Sequence, residues 1–441
     1  MKKTELLSPA GTLKNMRYAL AYGADAIYAG QPRYSLRVRN NDFLEDNLAI
    51  GINEAHQLGK KFYLTSNIMP HNSKIKTYLD DMAPIVAMKP DALIMADPGL
   101  IMMVRETWPE MPIHLSVQAN TVNYAAVRFW QSVGIERIIL SRELSLDEIA
   151  EIRQQCPDME LEVFVHGALC IAYSGRCLLS GYFNHRDPNQ GTCTNACRWE
   201  YKTTPAEQNA EGVYKPVTSN MGDARHQAAE QVVFIEEKGR PGEMMPMEED
   251  EHGTYIMNSK DLRAVEHVHR LVEIGVDSLK IEGRTKSHYY VARTAQSYRQ
   301  AIDDALAGKE FNPELLGVLE NLANRGYTDG FYQRHHTHEY QNYMQGNSVS
   351  RQQQFVGEVV HYDTTTGMAD IDVKNKIKVG DRLELLQPSG NTEIILDSMQ
   401  DRNGNAMEEA PGGGYQIRIP LPASMAEVGL IAKYIDNPIY T

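Results

Sequence analysis

The sequence predicts an α/β protein: a (β/α)8 barrel of the TIM type that carries an inserted cysteine-rich segment, followed by a small antiparallel β-barrel. Short apolar runs alternate with helical patterns over residues 5–309, which is typical of a parallel sheet covered on both faces. Polar residues stand at the ends of nearly all these runs. Beyond residue 351 the pattern changes to short alternating strands separated by turn residues.

The predicted elements of the first part follow one another as strand and helix. The helical patterns place apolar residues at helical spacing, and the first of them ends on a glycine. Helices are predicted over 12–23, 44–59, 74–89 and 289–309. Strands are predicted over 5–11, 24–30, 60–69, 91–97, 112–118, 137–143, 161–167 and 276–283, with a further strand at 253–259.

The residues at the carboxyl ends of these strands favour a closed barrel over an open doubly wound sheet. Most of them are polar, which suits a ring of loops that converge on one mouth, where barrel enzymes hold their active sites. The turn after the first strand lacks the glycine-rich fingerprint of a dinucleotide-binding sheet. The strand ends are Ser8, Gly30, Asn67, Asp97, Gln118, Ser141, His166 and Glu282.

The chain divides into two predicted domains. The barrel is predicted over 1–335, with a polar and acidic surface insertion at about 200–252. A polar linker over 336–351 leads to the small β-barrel of 352–441. Its strands are predicted over 353–363, 367–375, 379–390, 391–399, 414–422 and 429–435.

Composition and charge narrow the function classes. With 441 residues, of which 42% are hydrophobic and 23% charged, the chain can bury a full core. A net charge of -14 disfavours broad, non-specific binding of nucleic acid but leaves room for a local basic groove. No stretch approaches the roughly 20 apolar residues of a membrane span, and the first residues lack the apolar core of a signal peptide. We therefore expect a cytoplasmic protein without membrane association.

Four of the five cysteines crowd into one window. These are Cys170, Cys177, Cys193 and Cys197, whereas Cys156 ends a helical pattern and is interpreted as a bystander. A reducing compartment disfavours disulfides. Six residues separate the first pair and three the second, which is too open for two zinc knuckles. Iron–sulfur clusters accept four thiolates at irregular spacings, so a cluster is favoured, with zinc as the alternative.

Further side chains at the predicted mouth are candidates for binding and catalysis. His166 could orient a substrate or donate a proton, although a histidine bonded to backbone would look the same, and Glu282 is the second catalytic candidate. Arginine and lysine just past strand ends suit an anion, and aromatic faces beside them suit an unstacked base. The substrate-binding candidates are Arg33, Arg37, Arg39, Gln118, Arg142, Tyr173, Lys280 and Arg284.

The segment 162–180 resembles the signature of peptidase family U32, the collagenase-like peptidases. The resemblance extends through 6–41, 91–101, 114–123, 187–201, 258–268 and 278–287. These blocks are most similar to the branch of the family that hydroxylates the wobble uridine of transfer RNA. The resemblance implies 5-hydroxyuridine formation with prephenate as hydroxyl donor, an anticodon loop as partner, and a [4Fe–4S] cluster on the four clustered cysteines.

Three hypotheses result. The first is an iron–sulfur tRNA hydroxylase in which two basic groups among Arg39, Arg142, Lys280 and Arg284 hold the two carboxylates of prephenate. The second is a metal-dependent or cysteine peptidase, although the chain has no HExxH and no GxSxG motif. The third is a non-catalytic RNA-binding factor that zinc holds together. The sequence identifies no electron partner.

Overall fold

The structure is a computed structural model. It describes residues 3–31, 33–36, 42–169, 260–324, 326–333, 353–421 and 429–435, and the backbone of four strands between 201 and 247. Within this part of the chain, no helix has both the length and the apolar character needed to cross a membrane.

Eight parallel strands close into a barrel in the described residues. Their order is β13-β1-β2-β3-β4-β5-β6-β7, and β13 pairs with β7 to complete the ring. The predicted barrel is therefore confirmed, and each predicted barrel strand corresponds to one of these. The strands are β1 (Glu5–Pro9), β2 (Ala26–Gly30), β3 (Lys61–Ser66), β4 (Ala92–Met95), β5 (Ile113–Leu115), β6 (Arg137–Ile139), β7 (Glu160–Ala168) and β13 (Ser278–Ile281).

Helices cover the outside of the barrel. Side-chain caps fix several of their starts: Asp97 accepts from the backbone N–H of Leu100, and Ser145 forms a capping box with Glu148. The single helix predicted over 74–89 is two helices in the structure. The helices are α1 (Leu13–Ala21), α2 (Glu45–Gln57), α3 (Asn72–Ile75), α4 (Tyr78–Ala87), α5 (Pro98–Thr107), α6 (Tyr124–Ser132), α7 (Leu146–Gln155), α8 (Val268–Ile274), α9 (His288–Leu306) and α10 (Glu314–Glu320).

A β-bulge interrupts the pairing of β7 with β13. Phe164 lies opposite Lys280 and His166 lies opposite Ile281, so Val165 is an extra residue on β7. One extra residue moves the following side chains to the other face of the sheet. Accordingly, Phe164 faces the barrel interior, whereas the ring of His166 contacts Tyr290 and Tyr298 of α9.

Two short strands extend the sheet beyond the bulge. β12 (Asp261–Arg263) pairs antiparallel with the end of β7, and β14 (Tyr327–Thr328) pairs parallel with β12. The further strand predicted at 253–259 lies outside the described residues.

The insertion contains strands that the sequence analysis did not predict. They form a four-stranded antiparallel sheet in the order β11-β10-β8-β9. A polar, acidic composition concealed them, because strand prediction relies on apolar alternation. The strands are β8 (Tyr201–Gln208), β9 (Tyr214–Pro216), β10 (Val233–Glu237) and β11 (Met244–Met247).

The C-terminal domain is a curled antiparallel sheet with its own apolar core. Its strand order is β19-β18-β24-β15-β16-β23-β20-β21, and β17 pairs with β22 beside it. All six predicted strands are present, and the four additional ones are two to four residues long. The strands are β15 (Gln353–Asp363), β16 (Met368–Val373), β17 (Asn375–Lys378), β18 (Arg382–Leu386), β19 (Thr392–Ile395), β20 (Met399–Asp401), β21 (Ala406–Met407), β22 (Glu409–Gly412), β23 (Gln416–Pro420) and β24 (Leu430–Tyr434).

Buried ion pairs join the C-terminal domain to the barrel. Arg293 of α9 is 1% exposed and donates to Glu384 at 2.9 Å and to Gln353 at 3.0 Å. Glu358 of β15 accepts from Lys14 at 2.6 Å and lies 3.1 Å from His288. Apolar residues of the sheet complete the contact by joining the core of the barrel: Leu386, Leu430 and Ala432.

We predict that Glu358→Gln weakens this domain contact. Burial raises the pKa of the Glu358 carboxyl, but its hydrogen bonds with His288 and Lys14 outweigh that effect and hold its pKa well below its ordinary value. The charged Glu358 therefore stabilises the folded protein fully above about pH 4.3, the pKa of a glutamate in the unfolded chain. This stabilisation is lost as pH falls through the lower pKa that Glu358 has in the folded protein. At pH 7 the variant should lose about 1–3 kcal/mol of unfolding free energy in urea.

The control for this prediction is Glu393→Gln, which removes an exposed pair with Arg382 and should change stability by less than about 1 kcal/mol. An acid titration adds a second readout. Wild-type stability should fall more steeply below pH 4 than that of Glu358→Gln, and parallel curves would contradict the assignment.

We also predict that Gly167→Ala is strongly destabilising. Gly167 has φ +102°, which side chains with a Cβ rarely adopt, and an added Cβ would lie 2.3 Å from the backbone oxygen of Glu282. Gly275, with φ +85° and nothing within 4 Å of an added Cβ, is the matched control. Gly275→Ala should cost about 1 kcal/mol, and Gly167→Ala clearly more, in thermal unfolding. Equal costs would show that the close approach is unimportant.

A polar pocket at the barrel mouth

A pocket opens at the carboxyl ends of the barrel strands. It encloses about 510 Å³ of space that atoms do not fill, part of which is open to solvent. Its apolar walls include Tyr28, Leu36, Ile94, Ile139 and Phe164. Its polar lining consists of Thr65, Asn67, Ser116, Gln118, Arg142, Lys280, Glu282 and Arg284. A small cavity with several converging charged groups is typical of a ligand site.

Arg284 is held in place on one side of the pocket. It is 7% exposed, donates to the hydroxyl of Thr65 at 3.0 Å, and also donates to the backbone oxygen of Leu36. Its guanidinium carbon lies 5.9 Å from the centre of the Tyr28 ring. These contacts order the guanidinium before any ligand arrives, which lowers the entropic cost of binding.

Arg142 and Glu282 form a loose ion pair across the pocket. Their nearest nitrogen and oxygen are 3.6 Å apart, which is longer than a hydrogen bond. The Arg142 guanidinium stacks 3.8 Å from the centre of the Phe164 ring. Stacking fixes the plane of the guanidinium, and the long separation leaves its N–H groups able to engage a ligand carboxylate.

Lys280 lies deeper in the pocket and contacts two aromatic rings. Its ammonium nitrogen is 4.3 Å from the ring centre of Tyr28 and 5.4 Å from that of Phe164, and it donates to Glu162 at 2.7 Å. Burial lowers the pKa of Lys280 below its ordinary value, and the negative charges of Glu162 and Glu282 oppose that shift. The charge of Lys280 therefore depends on its neighbours.

A buried charge network lies beneath the pocket. Arg137 of β6 is 3% exposed and donates to Glu5 at 2.6 Å, to Glu160 at 2.7 Å and to Glu162 at 3.2 Å. Burial lowers the pKa of Arg137, but Glu5 and Glu162 outweigh it and raise that pKa above its ordinary value. The hydroxyl of Tyr63 donates to Glu5 at 2.7 Å and closes the network.

The structure brings five of the predicted site residues together: Gln118, Arg142, Lys280, Glu282 and Arg284. Arg33 lies elsewhere, on the exposed surface, where it pairs with Asp81 at 2.6 Å. The remaining predicted residues lie outside the described part of the chain, and their roles stay predictions: Arg37, Arg39, Tyr173, Cys170, Cys177, Cys193 and Cys197.

His166 is not part of this pocket. The bulge turns it toward α9, where its Nδ1 lies 3.3 Å from the hydroxyl of Tyr298. That hydroxyl donates to the backbone oxygen of Val165, so His166 acts as the donor to Tyr298 through Nδ1. Burial lowers the pKa of His166 to about 3. A neutral, enclosed imidazole cannot serve as the proton donor predicted for it at neutral pH.

Sequence reasoning missed several small polar residues of the pocket. Thr65 positions Arg284, and Asn67 donates to Ser116 at 3.1 Å. Their only signal was their place at the ends of β3 and β5. Threonine and serine are common at strand ends, so that signal could not single them out.

One group of residues outside the pocket has metal-ligating atoms close together in the described chain: Glu266, His267 and Asp329. His267 Nε2 lies 3.1 Å from Asp329 and 3.8 Å from Glu266. The hydrogen bond between His267 and Asp329 accounts for this cluster as a structural contact. Cys156 is buried at the end of α7, where its thiol donates to the backbone oxygen of Tyr124 at 3.6 Å.

The sequence matches two family models over nearly its full length. The model of peptidase family U32 matches residues 11–342, and that of the family's C-terminal domain matches residues 351–432. The chain belongs to peptidase family U32. The boundary between the two matches falls within the predicted linker of 336–351.

Several relatives of the chain are named tRNA hydroxylation proteins, and others are named as proteases. The chain is 63% identical to tRNA hydroxylation protein P of Escherichia coli over 432 residues, 96% of this chain and 95% of that protein. It is 35% identical to tRNA hydroxylation protein P1 of Bacillus subtilis over 93% of this chain and 90% of that protein. A protein named collagenase from Porphyromonas gingivalis is 26% identical over 95% of this chain and 94% of its own length.

We predict that Arg137→Met is severely destabilising. The change removes the cation that Glu5 and Glu162 share and leaves Lys280 as the partner of Glu162, and breaking a buried charge network in this way typically costs about 3–5 kcal/mol. Urea unfolding measures the loss. Arg382→Met, which removes an exposed cation, is the control and should cost less than about 1 kcal/mol. A loss of similar size in both variants would show that the network adds no stability.

Proposed function

We propose that this chain hydroxylates the wobble uridine of tRNA, with prephenate as hydroxyl donor and a [4Fe–4S] cluster on Cys170, Cys177, Cys193 and Cys197. The relatives named tRNA hydroxylation proteins support tRNA as the substrate and hydroxylation as the reaction. Prephenate as hydroxyl donor and the [4Fe–4S] cluster are supported by the family resemblance and by the chemistry of the site residues.

The arrangement of cations in the mouth pocket carries the proposal. Arg142, Lys280 and Arg284 converge on a space small enough for one compact ligand, and all three line it. Two guanidinium groups and one ammonium, with low-dielectric walls around them, concentrate anions. A dicarboxylate such as prephenate matches this set, because each of its carboxylates can engage one of the cations.

The donor set supports the cluster. Four thiolates are what a [4Fe–4S] cluster takes from a protein, and Cys170 follows the end of β7 by two residues. When bound, such a cluster supplies electron transfer. The described residues contribute binding and shielding instead. Tyr28 and Phe164 exclude water and offer ring faces, and the cations hold and orient the anionic co-substrate.

The peptidase alternative finds no support in the pocket. Its described lining includes Ser116 but no histidine, and the hydroxyl of Ser116 accepts from Asn67. A serine or cysteine peptidase needs a base within hydrogen-bond reach of its nucleophile. His166 does not line the pocket, and its lowered pKa of about 3 makes it too weak a base to activate Ser116.

We predict that 5-hydroxyuridine disappears from the tRNA of cells that lack this protein and returns with the wild-type chain. Arg142→Met should restore less than a tenth of the modification, because it removes one cation of the pocket. Cys193→Ala should restore none. Arg382→Met changes an exposed residue of β18 that does not line the pocket, so this control should restore the modification fully. Mass spectrometry of tRNA nucleosides makes the measurement.

Anaerobic purification with iron and sulfide analysis tests the cofactor in the same strains. Modification that persists without the protein would overturn the proposed substrate. Zinc without sulfide would overturn the cluster and favour the RNA-binding factor instead. Full modification by Cys193→Ala would remove the cluster from the chemistry.

A further inference from the structure

We propose that Glu162 is a positioning residue of the mouth pocket: it holds the Lys280 ammonium, as a cation, where it can bind a carboxylate of the co-substrate. This inference rests on the proposed function for the identity of that co-substrate. The sequence analysis gave Glu162 no role, because a glutamate within an apolar strand carries no motif.

The two carboxylate oxygens of Glu162 are divided between two cations. Oε1 accepts from Lys280 at 2.7 Å, and Oε2 accepts from Arg137 at 3.2 Å. Glu162 itself is 0% exposed. A carboxylate without solvent contact depends on such cations to remain charged. Glu162 therefore connects the pocket to the network beneath it and cannot move independently of either.

The network anchors Glu162 from several strands at once. Arg137 is held by Glu5 of β1 and by Glu160 of β7. Glu5 in turn accepts from Tyr63 of β3 at 2.7 Å and from Ser278 of β13 at 3.0 Å. Because several strands contribute to it, the position of the Glu162 carboxylate is fixed by the barrel itself.

Lys280 retains donors for a ligand. An ammonium group has three N–H bonds, and Glu162 is the hydrogen-bond acceptor that the described residues provide. The rings of Tyr28 and Phe164 flank the ammonium without accepting conventional hydrogen bonds. Lys280 also lines the pocket, so a ligand carboxylate that enters can accept the remaining hydrogens.

The charges around Lys280 decide whether it stays protonated. Glu162 and Glu282 favour the ammonium, whereas Arg137 and burial disfavour it. Arg142 and Arg284 add further positive charge around the pocket. The rings of Tyr28 and Phe164 attract the cation only weakly. Removal of the Glu162 charge therefore leaves Glu282 to oppose burial and the positive charges of the arginines, so Lys280 loses its proton at lower pH.

The test measures the reactivity of Lys280 toward acetic anhydride as a function of pH, by mass spectrometry of the peptide that contains it. Only the neutral amine reacts, so the midpoint of the curve reports its protonation. In Glu162→Gln the midpoint should fall by about one to three pH units relative to wild type. An unchanged midpoint would overturn the proposal, whatever the ligand is.

Two further variants separate positioning from a general structural effect. Glu160→Gln is the matched control. Glu160 accepts a hydrogen bond from Arg137, whereas the hydrogen bond that Lys280 donates in the described residues goes to Glu162. Its Lys280 midpoint should stay within a few tenths of wild type. Glu162→Asp keeps the charge, so its Lys280 midpoint should lie close to that of wild type. This variant also provides the test if Glu162→Gln does not fold. A shift of equal size in Glu160→Gln would overturn the specific role.

Prephenate then tests the functional consequence. The KM for prephenate should rise at least tenfold in Glu162→Gln at pH 8 and less at pH 6, with a smaller change in kcat, because the lost cation binds the co-substrate. A rise that is equal at both pH values would contradict the role in holding charge. If prephenate fails to support wild-type turnover while the Lys280 midpoint still shifts, the proposed co-substrate is wrong and the positioning role stands.

Discussion

The salt bridge between Glu162 and Lys280 is the interaction on which the mouth of this barrel depends. A parallel barrel of this size normally fills its interior with apolar layers. Here Arg137, Lys280 and Glu162 are buried, with Glu5 and Glu160 beside them, and this burial is tolerated because each charge meets an opposite one. The arrangement gives up core stability and holds the Lys280 ammonium at a fixed place in the pocket lining.

The pocket and the charge network beneath it have different roles. The network beneath it is rigid and closed, whereas the groups of the pocket itself keep donors accessible: Arg142 is only loosely paired with Glu282, and Lys280 has hydrogens beyond the one that Glu162 accepts. A site built in this way can accept an anion without rearranging its own ion pairs. The aromatic walls strengthen each of these contacts by excluding water.

Much of this architecture was readable from the sequence because it follows simple periodicities. Apolar runs and helical spacing located all eight barrel strands, and the rule that loops meet at strand carboxyl ends identified Arg142, Lys280, Glu282 and Arg284. The same rule failed for His166. The bulge at Val165 shifts the register by one residue, and a register shift leaves no trace in the composition of a strand.

The network was invisible for a different reason. Glu5, Arg137 and Glu162 look like ordinary charged residues in their strands, and only the closure of the barrel, in which β13 pairs with both β7 and β1, brings them together. The most direct test of the account is a crystal structure of the anaerobic protein with prephenate. We expect one prephenate carboxylate to contact Lys280 and the other to contact Arg142 or Arg284. Prephenate bound away from these three residues would contradict it.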